Sequence, residues 1–191
     1  FAREGASVVI AEIDEVNGAA VAQSLRDDFG AESLFVPTDA TIEDDNREMI
    51  RAAVAAFGTV HILVNNAWGG DRAGLQRVDK IPTDAIQHAL NMKYLGPFWA
   101  MQEAFGHMRA QQWGRIISLC SLKGVNAHMG SVHYNGSAEA LRTLTRTAAR
   151  ESARFGITAN SICPGAKSSA FRPFEAMNPE MAKASQAATP M

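Results

Sequence analysis

The sequence predicts a doubly wound α/β domain, in which a parallel sheet lies between two layers of helices. Short apolar runs alternate with segments of helical periodicity from residue 6 to residue 163. The apolar runs carry few polar residues on either face, which is typical of parallel strands covered on both sides. The chain has 191 residues, 47% of them hydrophobic, and no internal repeat or linker. These observations predict a single domain over residues 1–191.

Five strands and four long helices are expected in alternating order. Acidic residues open the second helix, Gly30 and Gly58 follow helix ends, and Pro82 suits a first helical turn. The strands are expected at 6–12, 34–36, 60–64, 115–120 and 157–163, and the helices at 14–29, 43–57, 82–109 and 131–155. Pro164 and Gly165 end the last strand, and no clear periodicity follows in residues 166–191.

Composition and charge exclude several classes of function. The net charge is −2, which gives no reason to expect a nucleic-acid partner. No apolar run approaches the roughly 20 residues that a membrane helix needs, and no Cys/His spacing indicates a metal site. Cys120 and Cys163 lie in apolar, strand-like runs and are expected to be free thiols rather than a disulfide. Free thiols favour a reducing compartment, and we expect the cytoplasm.

The most informative motif is a serine followed 13 residues later by a tyrosine. Ser121 closes the fourth strand and Tyr134 opens the following helix. Asn65-Asn66-Ala67 follows the third strand and Pro164-Gly165 follows the fifth. Together these residues resemble the short-chain dehydrogenase/reductase family, whose signature is Ser…Tyr-x-x-x-Lys. The resemblance implies a Rossmann-like three-layer α/β/α fold, an NAD(P)-dependent oxidoreductase that interconverts an alcohol and a ketone, and a homodimer or homotetramer.

Three residues depart from the family pattern. Ala138 stands where the signature has its lysine, and Trp68 stands where a glycine usually follows Asn-Asn-Ala. Lys93 stands where the family has an asparagine in the long central helix. These departures keep a second function open: a nucleotide-binding pseudoenzyme, or an inactive partner subunit with a degenerate active site.

The candidate catalytic residues are Ser121, Tyr134 and Lys93. The reduction of a ketone needs a proton donor, for which Tyr134 is the candidate, and a polar group on the carbonyl oxygen, for which Ser121 is the candidate. A free tyrosine has a pKa of about 10, and a nearby cation favours its ionised form. Helical spacing puts Lys93 on an apolar stripe, which suggests that it replaces the missing lysine. The alternatives are a Lys93 ammonium that extends to water, and Lys123 as the cation.

The resemblance also assigns candidate cofactor-binding residues. Glu12 ends the first strand, where an acid accepts hydrogen bonds from a ribose diol and repels a 2′-phosphate, so NAD is expected over NADP. The alternative for Glu12 is solvated surface, and for Ser169 a plain loop residue. The candidate set is Glu12, Asp39, Ala40, Asn66, Ala67, Tyr134, Pro164, Gly165 and Ser169.

The resemblance further implies that the domain lacks two parts. The family's first strand, with its glycine-rich turn, would lie between the strands at 6–12 and 60–64, and its last strand has no counterpart either. We therefore expect a fragment of a longer protein, with two unpaired strand edges facing each other; the alternative is a natural short variant. Substrate identity is not encoded in a motif, and residues 166–191 are expected to form a substrate loop.

Overall fold

The structure is a computed structural model, and it describes residues 1–69, 73–164, 175–176 and 178–187. Its strands are β1 (Val8–Glu12), β2 (Ser33–Pro37), β3 (Ile62–Asn65), β4 (Gly114–Leu119) and β5 (Ile157–Ile162). Its α-helices are α1 (Glu15–Phe29), α2 (Glu43–Phe57), α3 (Thr83–Leu90), α4 (Gly96–Ala110), α5 (Leu122–Val125), α6 (Val132–Ser152) and α7 (Pro179–Ala187). Within the described residues, no helix is both long and apolar enough to cross a bilayer.

The described strands form two parallel sheets. One contains β1 and β2, and the other has the order β3-β4-β5. All pairs are parallel, with Glu12 opposite Pro37 in the first sheet and Asn65 opposite Ser118 in the second. Parallel sheets flanked by helices confirm the Rossmann-like α/β fold. The expected interruption between the strands at 8–12 and 62–65 is present, because neither pairs with the other.

The long helix expected at 82–109 is present, but a π-helical turn interrupts its regular α-helical hydrogen bonding. Residues Asn91–Leu95 form a π-helical turn between α3 and α4, in which the Gly96 N–H donates to the Asn91 carbonyl five residues back. The physical reason is Pro97, which has no N–H to donate to the carbonyl of Lys93 four residues earlier. π-turns of this kind are frequent at functional sites.

Two short helices were not predicted. The α5 helix is a single turn of four residues, which is too short to produce a periodic pattern. The α7 helix lies in the segment that was expected to have no periodic structure. It begins at Pro179, a residue that suits the first helical turn.

The main core packs the second sheet against helices α2, α4 and α6. Its largest fully buried side chains are Met101, Met108, Ile116 and Ile157. A buried polar chain crosses this core beside the candidate site. Asn65 Nδ2 donates to Ser118 Oγ at 3.3 Å, and the Thr145 hydroxyl lies 2.9 Å from Ser118 Oγ. Because buried hydroxyls and amides need partners, this chain fixes α6 relative to β3 and β4.

Candidate active site

The predicted site residues follow the carboxyl ends of the parallel strands, which is where α/β sheets bind ligands. Glu12 ends β1, Asp39 follows β2, Asn66 follows β3, Ser121 follows β4 and Pro164 follows β5. Glu12, Asn66 and Pro164 are exposed, whereas Asp39 and Ser121 are partly buried. Each strand therefore delivers its candidate residue to the same kind of position.

Tyr134 lies in the first turn of α6 and is half-buried. The edge of Trp68 contacts its ring, with 4.7 Å between the ring centroids and an angle of 76° between the planes. The loop that carries Trp68 is held by the central helix region, because the Gly69 N–H lies 3.1 Å from Met92 Sδ. Trp68, the unexpected residue after Asn-Asn-Ala, therefore forms one wall around the candidate acid.

Ser121 is the N-cap of α5, and its Oγ accepts a hydrogen bond from the Lys123 N–H at 3.1 Å. The α5 helix packs against α6. Gly124 allows this packing, since a Cβ there would lie 3.0 Å from the Asn135 carbonyl oxygen. The close approach brings the helix that Ser121 caps against the first turns of the helix that carries Tyr134.

Lys93 lies in the π-turn and is only 3% exposed. Its ammonium donates a hydrogen bond to the Leu119 carbonyl oxygen at 3.2 Å. Lys93 Nζ lies 5.5 Å from the ring centroid of Trp68 and 5.5 Å from that of Tyr134. The alternative in which the ammonium extends to water is therefore wrong, because the ammonium is buried beside both aromatic rings.

Burial shapes the electrostatics of this cluster. Removal from water lowers the pKa of the Lys93 ammonium from its ordinary value, because burial penalises the charged form; the nearby Cys120 sulfur acts in the opposite sense. Burial likewise raises the pKa of the Cys120 thiol. Both cysteines are free, as predicted, although Cys163 is only partly buried.

The position at which the family signature has its lysine is occupied by a buried alanine. Ala138 lies one helical turn after Tyr134 and is fully buried, with 0% exposure. A second ammonium, that of Lys123, lies on the exposed α5, with Nζ 5.9 Å from the Tyr134 ring centroid. Two lysines from different elements thus approach the tyrosine ring, although the signature position is an alanine.

The loop after β2 is anchored directly to the start of α4. Asn46 Nδ2 donates to the Ala40 carbonyl oxygen at 3.1 Å, and a Cβ at Gly96 would lie 2.3 Å from that same oxygen. Only glycine permits this approach. Asp39 Oδ1 accepts hydrogen bonds from the N–H and the hydroxyl of Thr41. The loop that carries the candidate cofactor-binding residues Asp39 and Ala40 is therefore packed against the helix that continues from the Lys93 turn.

The structure does not describe all of the predicted site residues. Gly165 and Ser169, the candidates for the nicotinamide end of the cofactor, lie outside the described residues. Pro164 is described and exposed. Most of the expected substrate loop at 166–191 is likewise outside the described part, apart from residues 175–176 and 178–187.

Comparison with known proteins decides the family. The family model described as short chain dehydrogenase matches residues 1–178. The chain belongs to the short-chain dehydrogenase family. The family match agrees with the resemblance carried by the serine, the tyrosine and the strand order.

Relatives of this short-chain dehydrogenase include curated and solved proteins. An uncharacterized oxidoreductase, YxjF, of Bacillus subtilis (strain 168) is 34% identical over 168 residues, covering 86% of the chain and 63% of the relative. The L-fucose dehydrogenase of Oryctolagus cuniculus is 33% identical over 165 residues, covering 86% of the chain and 55% of the relative. A crystal structure of NAD+-bound xylitol dehydrogenase aligns with a TM-score of 0.80 at 28% identity, covering 85% of the chain and 62% of that protein. The chain spans less than two thirds of the length of each of these proteins.

Glu12 is the described residue that bears most directly on whether the chain fits the adenosine ribose of a nicotinamide dinucleotide. Glu12 Oε1 accepts hydrogen bonds from the Ile13 and Asp14 N–H groups at 2.8 and 3.1 Å. Glu12 Oε2 has no hydrogen-bond partner within the described residues, and the side chain is exposed. The carboxylate is thus oriented by the backbone while one oxygen stays open to a diol.

Within the described residues, two features of this site were not predicted from the sequence. The π-turn could have been found from Pro97, which is the only interior proline of the expected helix at 82–109. The polar chain through Asn65, Ser118 and Thr145 carries no signal of its own, because a serine within an apolar strand gives no indication of its partners.

Proposed function

We propose that this protein is an NAD-dependent oxidoreductase that interconverts an alcohol and a ketone, with Tyr134 as the acid/base. One observation carries the proposal: the Tyr134 ring lies against Trp68 and 5.5 Å from the buried Lys93 ammonium, in a chain of the short-chain dehydrogenase family. Tyrosine needs a nearby cation to exchange protons near neutral pH. Lys93 provides that cation from another element.

The roles of the residues follow from their chemistry. In the reducing direction the Tyr134 hydroxyl gives its proton to the carbonyl oxygen, and the Ser121 hydroxyl donates a hydrogen bond to the same oxygen. NADH, when bound, would supply the hydride for the carbonyl carbon. In the oxidising direction the Tyr134 phenolate takes the alcohol proton, and the Lys93 ammonium stabilises that phenolate.

Lys93 has the properties that this supporting role requires. An ammonium has three N–H donors, of which one is used by the Leu119 carbonyl. Within the described residues Lys93 has no acidic partner, so its field is not neutralised by a carboxylate. Because Lys93 is buried, its charge acts through a medium of lower polarity than water and has a stronger effect on its neighbours.

NAD is proposed rather than NADP because of Glu12. Its exposed carboxylate at the end of β1 would hold a ribose diol and repel a 2′-phosphate. Replacement Glu12→Ala should narrow the NAD preference by about tenfold, the order expected for hydrogen bonds to a charged group. Calorimetric titration of the intact protein with NAD and with NADP measures this preference.

Glu15→Ala, which removes an exposed acid of α1, is the control and should leave the preference unchanged. Tighter binding of NADP than of NAD by the unmutated protein would refute the assignment.

Turnover itself is tested with Tyr134→Phe. The intact protein should oxidise NADH in the presence of at least one member of a ketone panel. Tyr134→Phe should lower kcat by at least about 100-fold, the contribution typical of a general acid, while NAD binding is retained. Equal turnover by both proteins would exclude Tyr134 as the acid/base.

A pseudoenzyme is the second candidate, and two observations favour it. Ala138 leaves no lysine at the signature position, and the Trp68 indole occupies space beside the Tyr134 ring. The two candidates differ in one measurable respect, because a pseudoenzyme binds NAD and turns over no carbonyl.

We also propose that the protein assembles as a homodimer or homotetramer through α4 and α6, as the family resemblance implies. Light scattering by the intact protein measures the assembly. A monomer at micromolar concentration would contradict it.

A further inference from the structure

The Lys123 ammonium is the exposed cation beside Tyr134. Lys123 lies in α5, two residues after Ser121, and its Nζ is 5.9 Å from the Tyr134 ring centroid. Within the described part of the chain no carboxylate lies within ion-pair distance of it. Glu139, which packs against Gly124 of the same helix, is held instead by Arg142 Nε at 2.9 Å. Lys123 therefore carries its charge to the open side of the site.

The two lysines near Tyr134 differ in what they can reach. Lys93 is 3% exposed and its ammonium is bonded to the Leu119 carbonyl, so it acts on the tyrosine from inside the protein. Lys123 is exposed, and its ammonium makes no hydrogen bond to another described residue, so it can meet a group of the substrate.

Exposed apolar side chains occur on α5, on the loop that follows it and on a second loop that contacts this one. Met129 is 95% exposed, Leu75 73% and Val125 49%. The loops that carry Leu75 and Met129 are joined by a hydrogen bond from the Gln76 N–H to the Gly130 carbonyl at 2.9 Å. Within the described residues, an ammonium without an ion-pair partner and these exposed apolar side chains suit a molecule with a carboxylate and a hydrocarbon skeleton.

We infer that the substrate is an oxo acid or hydroxy acid with an apolar skeleton, whose carboxylate binds the Lys123 ammonium. The inference rests on the proposed function, because the ketone or alcohol carbon is the one that Tyr134 and Ser121 serve. Reduction converts the ketone of the oxo acid to an alcohol with one hydride and one proton, and the carboxylate is unchanged. Lys123 determines specificity and takes no part in the proton transfer.

The test uses a series of straight-chain oxo acids that differ in the position of the ketone. Turnover of each acid is compared with turnover of its methyl ester. For the preferred acid, Lys123→Met should raise KM by about tenfold, the effect of one hydrogen bond to a charged group, and leave kcat nearly unchanged. The KM for the matching ester should not change, and Lys123→Arg should restore most of the affinity for the acid. Arg146→Met is the control, because it removes an exposed charge of α6 about 18 Å along the helix from Tyr134.

Calorimetry separates failure of this inference from failure of the proposed function. Hexanoate and hexanamide serve as unreactive probes, titrated into the intact protein saturated with NAD. Tighter binding of hexanoate than of hexanamide supports the inference if Lys123→Met loses this difference and Arg146→Met keeps it. This result would support the inference even if the protein turned over no ketone. In that case only the proposed function would fail. Equal binding of the two probes, or an equal KM for acids and esters in the active protein, would overturn the inference.

Discussion

At the residue scale, the proposed compensation for Ala138 rests on the position of Lys93. The helix that carries Tyr134 buries an alanine where the family signature has its lysine, and Lys93 brings an ammonium to 5.5 Å from the same ring. A buried ammonium without a carboxylate partner destabilises the fold. Such a residue is expected where function outweighs stability.

This cost predicts how stability depends on pH. Burial lowers the pKa of folded Lys93 below its ordinary value of 10.5, which the unfolded chain keeps. Between the folded and the unfolded pKa of Lys93, the unfolded state binds more protons than the folded state, so the free energy of unfolding rises with pH. Below the folded pKa, the cost of burying the charged ammonium is fully present. Lys93→Met should therefore raise the free energy of unfolding at pH 7 by about 1 kcal/mol, even after the Leu119 carbonyl loses its donor.

Urea unfolding of the intact protein at several pH values measures this effect. The advantage of Lys93→Met should shrink as the pH rises towards 10.5, because the unmutated lysine then loses its charge in the folded state. Lys80→Met, which removes an exposed lysine, should give no such trend. An advantage that is constant with pH would mean that the Lys93 ammonium carries no burial penalty.

At the scale of elements, the π-turn between α3 and α4 places Lys93. Pro97 removes the N–H that would bond the Lys93 carbonyl in a regular helix, and Gly96 lets the turn pack on the Ala40 carbonyl. The sequence predicted a helix over this region and a Lys93 on its buried stripe. It could not predict the extra residue in the turn, because periodicity averages over many residues while a π-turn changes one.

Pro97→Ala tests the role of this turn. The new N–H can bond the Lys93 carbonyl, which favours a regular α-helical turn and moves Lys93 away from Tyr134. We expect kcat to fall by about tenfold, equivalent to about 1.4 kcal/mol, with NAD affinity unchanged. Steady-state kinetics of the intact variant measure kcat, and titration with NAD measures its affinity for the cofactor.

Gly106→Ala is the matched control for that experiment. Gly106 is exposed in α4, and an added Cβ would meet nothing within 4 Å. The substitution should stabilise the helix by about 0.5–1 kcal/mol without changing kcat. If Pro97→Ala keeps full activity, the π-turn is not needed to place the lysine.

At the scale of the whole molecule, much of the fold could be predicted from sequence. Five apolar runs gave five parallel strands with boundaries within two residues of those observed, and the interruption between the strands at 8–12 and 62–65 was expected. The α7 helix could not be predicted, because its short segment, 179–187, has no distinct apolar stripe. Gly165 and Ser169 remain sequence predictions.

The candidate site was harder to predict, because it depends on contacts between distant segments. The spacing of Ser121 and Tyr134 identified two of its residues, and Lys93 was inferred from a helical stripe. The edge contact of Trp68 with Tyr134 joins residues that are 66 positions apart. Nothing in the local sequence determines such a contact, because it depends on how β3, α5 and α6 pack together.

The central claim is that Lys93 supplies the positive charge that the family's lysine would provide at the position of Ala138. It is tested most directly by the pH dependence of turnover for the unmutated protein, Lys93→Ala, Ala138→Lys and the double variant. Lys93→Ala should lower kcat by at least about 100-fold and move the remaining activity to higher pH, because the tyrosine loses its cation.

In the double variant a lysine one helical turn after Tyr134 reaches the same space, and we expect it to recover part of the activity. Circular dichroism should show all four proteins folded. Full activity of Lys93→Ala, with an unchanged pH profile, would contradict the account. An inactive unmutated protein that gains activity on Ala138→Lys would contradict it too, and would favour the pseudoenzyme.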